Sequence, residues 1–331
     1  MEAYFDNAAT TKVFPEVKDL VVKLMEEDYG NPSSLHQKGL DAGHYIKETK
    51  EILAKEWKVD SKEIVLTSGG TESNNLALIG AALANKRSGN RIITSKVEHA
   101  SVSSTMAFLE SLGFEVVYLN VDHQGIVDLE QLEQEVNEDT ILVSVMYVNN
   151  EIGAVEPIQE IAEIIKEKNP KTLFHVDAIQ AFGKYHIYPK RMGIDLMSVS
   201  GHKIHGPKGT GALFIKNRTK VKPIIYGGGQ QDGMRSGTEN VPGFAGFGLA
   251  TKIVYEDLEA RIVRMRAVKD RLTERLKALP DVYINEGEAP HILSVSFVGV
   301  RSEVMLHALE EREIYVLSLI HISEPTRQEA I

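Results

Sequence analysis

The sequence predicts an α/β fold, with a large domain built on a mainly parallel seven-stranded sheet flanked by helices and a smaller α/β unit after it. Three observations predict this. Seven short β-rich runs lie at Glu63-Leu66, Arg91-Thr94, Glu115-Leu119, Ile141-Val148, Thr172-Val176, Leu196-Val199 and Gly211-Ile215. Most are separated by helical or turn-rich segments, the alternation that covers both faces of a parallel sheet. The 331 residues suffice for about two domains. In a sheet of this kind, ligand sites form at the carboxyl ends of the strands.

Taken in order, Val17, Leu20, Val21 and Leu24 follow the i, i+3, i+4, i+7 spacing of an amphipathic helix, and a second helix is expected over Ala42 to Trp57. After the seven β-rich runs, Ala250 to Leu279 reads as one long charged connector helix with a stripe of Ile253, Leu258, Ile262, Met265, Val268, Leu272 and Leu276. A strand-like run at Ile292-Val298, a helix at Ser302-Arg312 and a strand at Ile314-Val316 make the smaller unit. Between Tyr226 and Pro242 lies a Gly-rich stretch too long for a simple turn, and long loops inside compact domains are often functional.

Composition narrows the function. Lys plus Arg number 37 against 47 Asp plus Glu, a net charge of −10, so a nucleic-acid partner is not expected. No apolar run approaches the ~18 residues of a membrane span and no targeting segment opens the chain, so a soluble cytoplasmic protein without a membrane partner is the expectation. The chain has no cysteine, which excludes disulfides, thiolate metal sites and a cysteine nucleophile within it; no metal site is expected.

Four constellations carry chemistry. Thr67-Ser68-Gly69-Gly70-Thr71-Glu72 follows a strand and opens the helix Ser73-Ala84, a turn that aims free N–H groups and a helix dipole at an anion such as a phosphate. By itself it reads equally well as a helix N-cap. His175-Val176-Asp177-Ala178-Ile179-Gln180 ends an apolar strand in a carboxylate, which either caps the next turn or keeps a heteroaromatic nitrogen protonated. In Ser200-Gly201-His202-Lys203-Ile204-His205-Gly206-Pro207-Lys208-Gly209 a lysine sits just after a strand; a solvated loop lysine is one reading, a lysine activated for a Schiff base the other. His99, after another strand, gains meaning from this company. A phosphate turn, a carboxylate and a lysine on successive βα edges are what pyridoxal phosphate requires. No G-x-G-x-x-G or G-x-x-x-x-G-K-[ST] pattern supports a nucleotide instead.

With these residues in view, the chain resembles the NifS/IscS-type cysteine desulfurases, in the class V aminotransferase group of fold type I pyridoxal phosphate enzymes. The resemblance runs from Tyr4 to about Val316. It is carried by Phe5-Asp6-Asn7-Ala8-Ala9-Thr10-Thr11, Gly30-Asn31-Pro32-Ser33-Ser34-Leu35-His36, TSGGTESNN at 67 to 75, Glu98-His99, Asn149-Asn150-Glu151-Ile152-Gly153, HVDAIQ at 175 to 180, SGHKIHGPKG at 200 to 209 and RSGTEN at 235 to 240. The resemblance implies a Schiff base between Lys203 and pyridoxal 5′-phosphate, with Lys203 later moving the substrate's α-proton. It implies Asp177 on the pyridine nitrogen, Gln180 on the ring hydroxyl, and His99 stacked on the ring and shuttling protons. Gly70, Thr71, Ser200 and His202 would hold the phosphate, and Asn150 would lie beside substrate and ring hydroxyl. Thr238 would reach the cofactor of a partner subunit, hence a homodimer. The implied reaction converts L-cysteine to L-alanine and an enzyme persulfide that serves an iron-sulfur scaffold or another sulfur acceptor.

By the same resemblance, residues 1–14 associate with the small domain, 15–250 form the large domain, 251–316 hold the connector helix and a truncated small domain, and 317–331 are foreign. The family's nucleophilic cysteine follows the strand at Ile314-Val316, where this chain continues Leu317-Ser318-Leu319-Ile320-His321-Ile322-Ser323-Glu324-Pro325-Thr326-Arg327. That tail resembles a translated sequencing adapter, and Arg327 is not assigned to the substrate. The chain as written is therefore expected to be inactive. The alternatives are another class V enzyme, a selenocysteine lyase or aminotransferase, and a catalytically dead cofactor-binding scaffold.

Overall fold

The structure is a computed structural model and describes residues 2–285 and 287–318. The N-terminal part runs β1 (Ala3–Tyr4), α1 (Pro15–Glu26), α2 (Gln37–Trp57), β2 (Ile64–Thr67), α3 (Gly70–Asn85), β3 (Arg91–Ser95), α4 (Ala100–Ser111) and β4 (Glu115–Leu119). It continues through α5 (Leu129–Glu135), β5 (Thr140–Met146), α6 (Ile158–Lys168), β6 (Leu173–Asp177), β7 (Leu196–Ser200) and β8 (Gly211–Ile215). The seven strands β2 to β8 form one sheet in the order β2-β8-β7-β6-β5-β3-β4, each within a few residues of a predicted β-rich run. β8 runs antiparallel to both β2 and β7, while the pairs from β7 across to β4 are parallel.

Because helices cover both faces, the central strands are buried throughout: every residue of β5 and of β7 is buried. Successive side chains on a strand point to opposite faces. Ile93 and Val143 therefore join a core with Trp57, Phe182 and Phe247, while Ile92 and Leu142 join a second core with Leu76, Leu78 and Met106. The parallel arrangement brings the carboxyl ends of β2, β3, β6 and β7 to one edge, where the turns that carry Gly70, His99, Asp177 and Lys203 begin.

The predicted single helix over 250–279 is two helices. α7 (Val241–Glu256) ends at Asp257, whose φ of −129° and ψ of 27° are not helical, and α8 (Leu258–Lys277) starts there. Burial explains the break: α7 is a core helix with both faces covered, and the turn puts Leu258 into the same core. Beyond it, Ile262, Met265, Leu272 and Leu276 of α8 are only half-buried. The helical periodicity of the apolar stripe continues across Asp257, so the sequence pattern does not show the boundary.

The C-terminal part adds β9 (Val282–Asn285), β10 (Ser294–Phe297), α9 (Ser302–Glu310) and β11 (Ile314–Tyr315). β9 pairs antiparallel with β10, and β1 pairs parallel with β11, so the N-terminal strand is tied to this unit. α9 has no buried residue. β1 and β9 were not read from the sequence. β1 is two residues long, too short for alternation to identify, and β9, at four, is only at the lower limit. Of the tail from Leu317, residues 319–331 lie outside the described residues.

α2 and α7 pack at close range through Gly248. A Cβ there would meet Thr49 Oγ1 at 2.8 Å and Thr49 Cα at 3.1 Å, while the Thr49 hydroxyl donates to the Phe244 carbonyl at 3.0 Å. Gly248→Leu should therefore force the helices apart and cost about 1–3 kcal/mol, the usual penalty of overpacking, with Gly248→Ala milder. Urea unfolding checks it; an unchanged midpoint for the leucine variant would contradict the close packing.

Candidate active site

The site is assembled from strand ends. After β2, Gly69 adopts φ +148°, a conformation that L side chains rarely adopt, and lets the chain turn into α3. The first N–H groups of a helix lack intrahelical acceptors, so the amides of Gly70 and Thr71 are available there. Ser200, at the end of β7, faces this turn: a Cβ on Gly69 would lie 3.9 Å from Ser200 Oγ. That hydroxyl is buried and without a hydrogen-bond partner among the described residues. An anion with acceptor oxygens is what this cradle lacks.

Asp177 ends β6 and is 4% exposed. Its Oδ1 accepts from the Ile179 amide at 3.0 Å and its Oδ2 from Asn74 Nδ2 at 2.8 Å. Among the described residues it has no ion-pair partner within contact distance. Burial pushes its carboxyl up, while hydrogen bonds and the charges of His99 and Lys203 pull it back. A protonated heteroaromatic nitrogen would supply the missing counter-charge.

Asn74 Nδ2 also donates to Ser101 Oγ at 2.8 Å, and Ser101 Oγ lies 2.8 Å from His99 Nδ1. The Ser101 amide donates to the same Nδ1 at 3.1 Å, which makes His99 the N-cap of α4. With Nδ1 an acceptor, the proton of the neutral ring sits on Nε2. His99 itself is exposed and, with Thr71, Asn75 and Ser101, lines an open cavity of ≈ 380 Å³ between α3 and α4. Asn74 and Ser101 were within or beside the quoted motifs without a role, since their function as connectors depends on distances that sequence does not carry.

Lys203 follows β7 and is half-buried, its Nζ donating to the carbonyls of Ala8 at 2.5 Å and Ala9 at 2.7 Å. Burial lowers its pKa, and the charges of Asp6 and Asp177 oppose that shift. Gln180 reaches the same Ala8 carbonyl from Nε2 at 2.9 Å. His202 Nδ1 lies 3.2 Å from Thr10 Oγ1, and burial drives its pKa down to about 4, so the ring is neutral at pH 7. Sequence reading missed Lys184, which is 8% exposed and donates to the Lys203 carbonyl at 2.8 Å. Burial, with the Lys203 charge added, pushes it down to about 7.

Thus Gly70, Thr71, Ser200, Asp177, His99, Gln180, His202 and Lys203 converge on one edge. Asn150 is half-buried in the turn after β5, whose geometry is set by its neighbour: Asn149 Oδ1 accepts from the amides of Glu151 and Ile152. Thr238 is exposed on the loop before α7, and no described hydrogen bond links it to the other site residues.

Behind His99, the Glu98 carboxyl accepts from the Met146 amide at 2.9 Å and from Ser95 Oγ at 2.8 Å, and its Oε2 is buried without a partner. Burial pushes its pKa up from 4.5 to about 8. The folded chain therefore keeps a proton here that the unfolded chain loses. This contribution to stability is full below pH 4.5 and is lost as pH rises to about 8, at a slope of at most about 1.4 kcal/mol per pH unit. Glu98→Gln should flatten that slope; equal slopes in urea unfolding of the two proteins from pH 5 to 8 would show a charged Glu98.

Comparison with known proteins agrees with the geometry. The family model described as aminotransferase class-V matches residues 3–329, a span that takes in most of the segment after Leu317. The chain is 43% identical over 311 residues to a cysteine desulfurase IscS of Dictyoglomus turgidum, covering 92% of this chain and 78% of that protein. It is 42% identical over 315 residues to a cysteine desulfurase IscS of Methanosarcina thermophila, covering 94% and 78%. Among solved structures, a NifS-like protein superimposes with a TM-score of 0.93 at 40% identity, over 95% of this chain and 87% of that one. The chain therefore belongs to the class V aminotransferase family, among the IscS- and NifS-like cysteine desulfurases.

Proposed function

We propose that this chain binds pyridoxal 5′-phosphate at Lys203 and acts on L-cysteine, as a cysteine desulfurase does. One observation carries the reading: an amine, a buried carboxylate without a counter-charge and an unpartnered hydroxyl at a helix N-terminus meet at one sheet edge. Each of these groups corresponds to one part of the cofactor. Gly70, Thr71, Ser200 and His202 hold the phosphate, Asp177 holds the ring nitrogen, Gln180 and Asn150 serve the ring hydroxyl, and Lys203 takes the aldehyde. When bound, the cofactor supplies an electron sink for bonds broken at the substrate.

The residues of the chain do the rest. Depressed by burial, Lys203 provides a neutral amine more readily than an exposed lysine, and its Nζ takes the proton from the substrate α-carbon. Asp177 keeps the proton on the ring nitrogen. His99 covers the ring face, with Nε2–H turned away from its Ser101 anchor. Asn150 orients the substrate, and Thr238 serves the site of a second copy in a homodimer. In a desulfurase that carries its nucleophilic cysteine, the product sulfur is passed to an iron-sulfur scaffold or other acceptor in the cytoplasm. Among the described residues no helix is long and apolar enough to cross a membrane.

Sulfur acceptance needs a thiolate, and the chain has no cysteine. The chain as written therefore holds the cofactor and substrate without forming a persulfide. The same fact favours a second reading, a class V enzyme whose reaction needs no protein thiol, which would betray itself by a keto-acid product from an amino-acid panel.

Purified with pyridoxal phosphate, the chain should trap the cofactor on Lys203 after borohydride reduction, and Lys203→Ala should abolish that adduct. Asp177→Ala should weaken binding by about tenfold or more, the cost of one buried charge contact. With L-cysteine and a thiol reductant no sustained sulfide release is expected. Sustained release, or an adduct that survives in Lys203→Ala, would contradict these assignments.

A further inference from the structure

Gln180 is a proposed cofactor contact whose orientation a side chain from the C-terminal unit controls. Its Nε2 donates to the Ala8 carbonyl at 2.9 Å, and its Oε1 lies 3.3 Å from Nε2 of His291. The amide cannot be turned over, since Ala8 offers an acceptor and needs a donor opposite it. Gln180 Oε1 then faces His291, and His291 must donate from Nε2. The Ala8 carbonyl also accepts from Lys203 Nζ, so His291, Gln180, Ala8 and Lys203 form one chain of contacts.

His291 reaches this place from the C-terminal unit. The segment before it is docked on the turn after β5: the Ala289 amide donates to the Gly153 carbonyl at 2.9 Å. Lys269 of α8 donates to the carbonyls of Gly287 and Ala289. His291 Nδ1 is shut from solvent without a partner. Burial, with the positive charge that Lys184 after β6, Lys269 on α8 and Lys203 after β7 carry when protonated, holds His291 well below its ordinary pKa. A neutral ring has one N–H, and Gln180 claims it.

We propose that His291 is a positioning residue: by donating to Gln180 Oε1 it fixes the Gln180 amide with Nε2 towards Ala8 and Lys203, so that Gln180 presents a donor to the ring hydroxyl. This rests on the pyridoxal phosphate reading above. It also makes the placement of the 287–292 segment a condition for the cofactor contact.

Two measurements test it. In the full chain without added cofactor, the ring nitrogens of ¹⁵N-labelled histidine, with His291 assigned by its loss in His291→Gln, should show a neutral Nε2–H form from pH 6 to 8. An Nδ1–H form, or a ring that titrates in that range, overturns the proposal. With pyridoxal phosphate as the probe, His291→Leu should weaken binding about tenfold, and His291→Gln, which keeps an N–H donor, should restore it to within about threefold. The leucine effect should vanish in a Gln180→Leu background. A full effect in that background, or no rescue by glutamine, overturns the proposal. Failure of the wild-type chain to take up pyridoxal phosphate would sink the proposed function, while the ring form still decides the role of His291.

Discussion

A carboxylate buried at the end of a central strand is the constraint around which this edge of the molecule is organised. Asp177 lies four strands into a seven-stranded sheet, where bulk water does not reach it and an unpaired charge is costly. Its neighbours are arranged accordingly. Asn74 turns its amide hydrogens on Asp177 and Ser101 together, Ser101 fixes His99, and the Ile179 amide closes the other oxygen. Glu98 keeps its proton at neutral pH, so it adds no second negative charge beside Asp177. What the protein leaves open is the counter-charge, and a buried carboxylate without one, close to His99, suits a protonated heterocycle.

The second organising element is the N-terminal segment, which has little regular structure yet supplies the acceptors that aim Lys203. Ala8 and Ala9 hold its amine, Thr11 donates to the His202 carbonyl at 2.9 Å, and β1 binds the segment to β11. The C-terminal unit thus touches the site twice, once through β1 and the Ala8 carbonyl and once through His291. Movement of that unit relative to the sheet would be felt at Gln180 and Lys203 before it reached Asp177, which is anchored entirely within the large sheet.

The sheet was legible because all its strands but the edge strand β4 are buried over most or all of their length: each is a short run rich in apolar residues bounded by turn residues, and no tertiary partner has to be known to see it. The site was legible for a related reason. A βα turn puts chemistry at a fixed place relative to its strand, so Gly70, His99, Asp177 and Lys203 declare their common edge through strand order alone. Long-range polar partners were not legible. Lys184, His291 and Asn74 act through hydrogen bonds to residues 19, 111 and 103 positions away; nothing in the local sequence of Lys184 or His291 marks them out, and Asn74 lies within a motif that does not reveal its partner. The break at Asp257 was hidden for a different reason, because helical periodicity continues across it while burial does not.

The missing thiol separates two functions that desulfurase chemistry joins. Holding the cofactor requires groups fixed to within a fraction of an ångström, and these sit on strand ends and helix N-termini of a rigid sheet. Accepting sulfur requires a nucleophile that approaches the substrate and then carries its cargo away, which a rigid edge cannot do. The first task is the one proposed for Lys203, Asp177, His99 and Gln180, whose described side-chain hydrogen bonds run to Ala8, Ala9, Asn74, Ser101, Ile179 and His291. On the proposed reading, the groups that bind and orient the cofactor belong to the large sheet and its two adjoining segments, so binding is separable from the final transfer of sulfur.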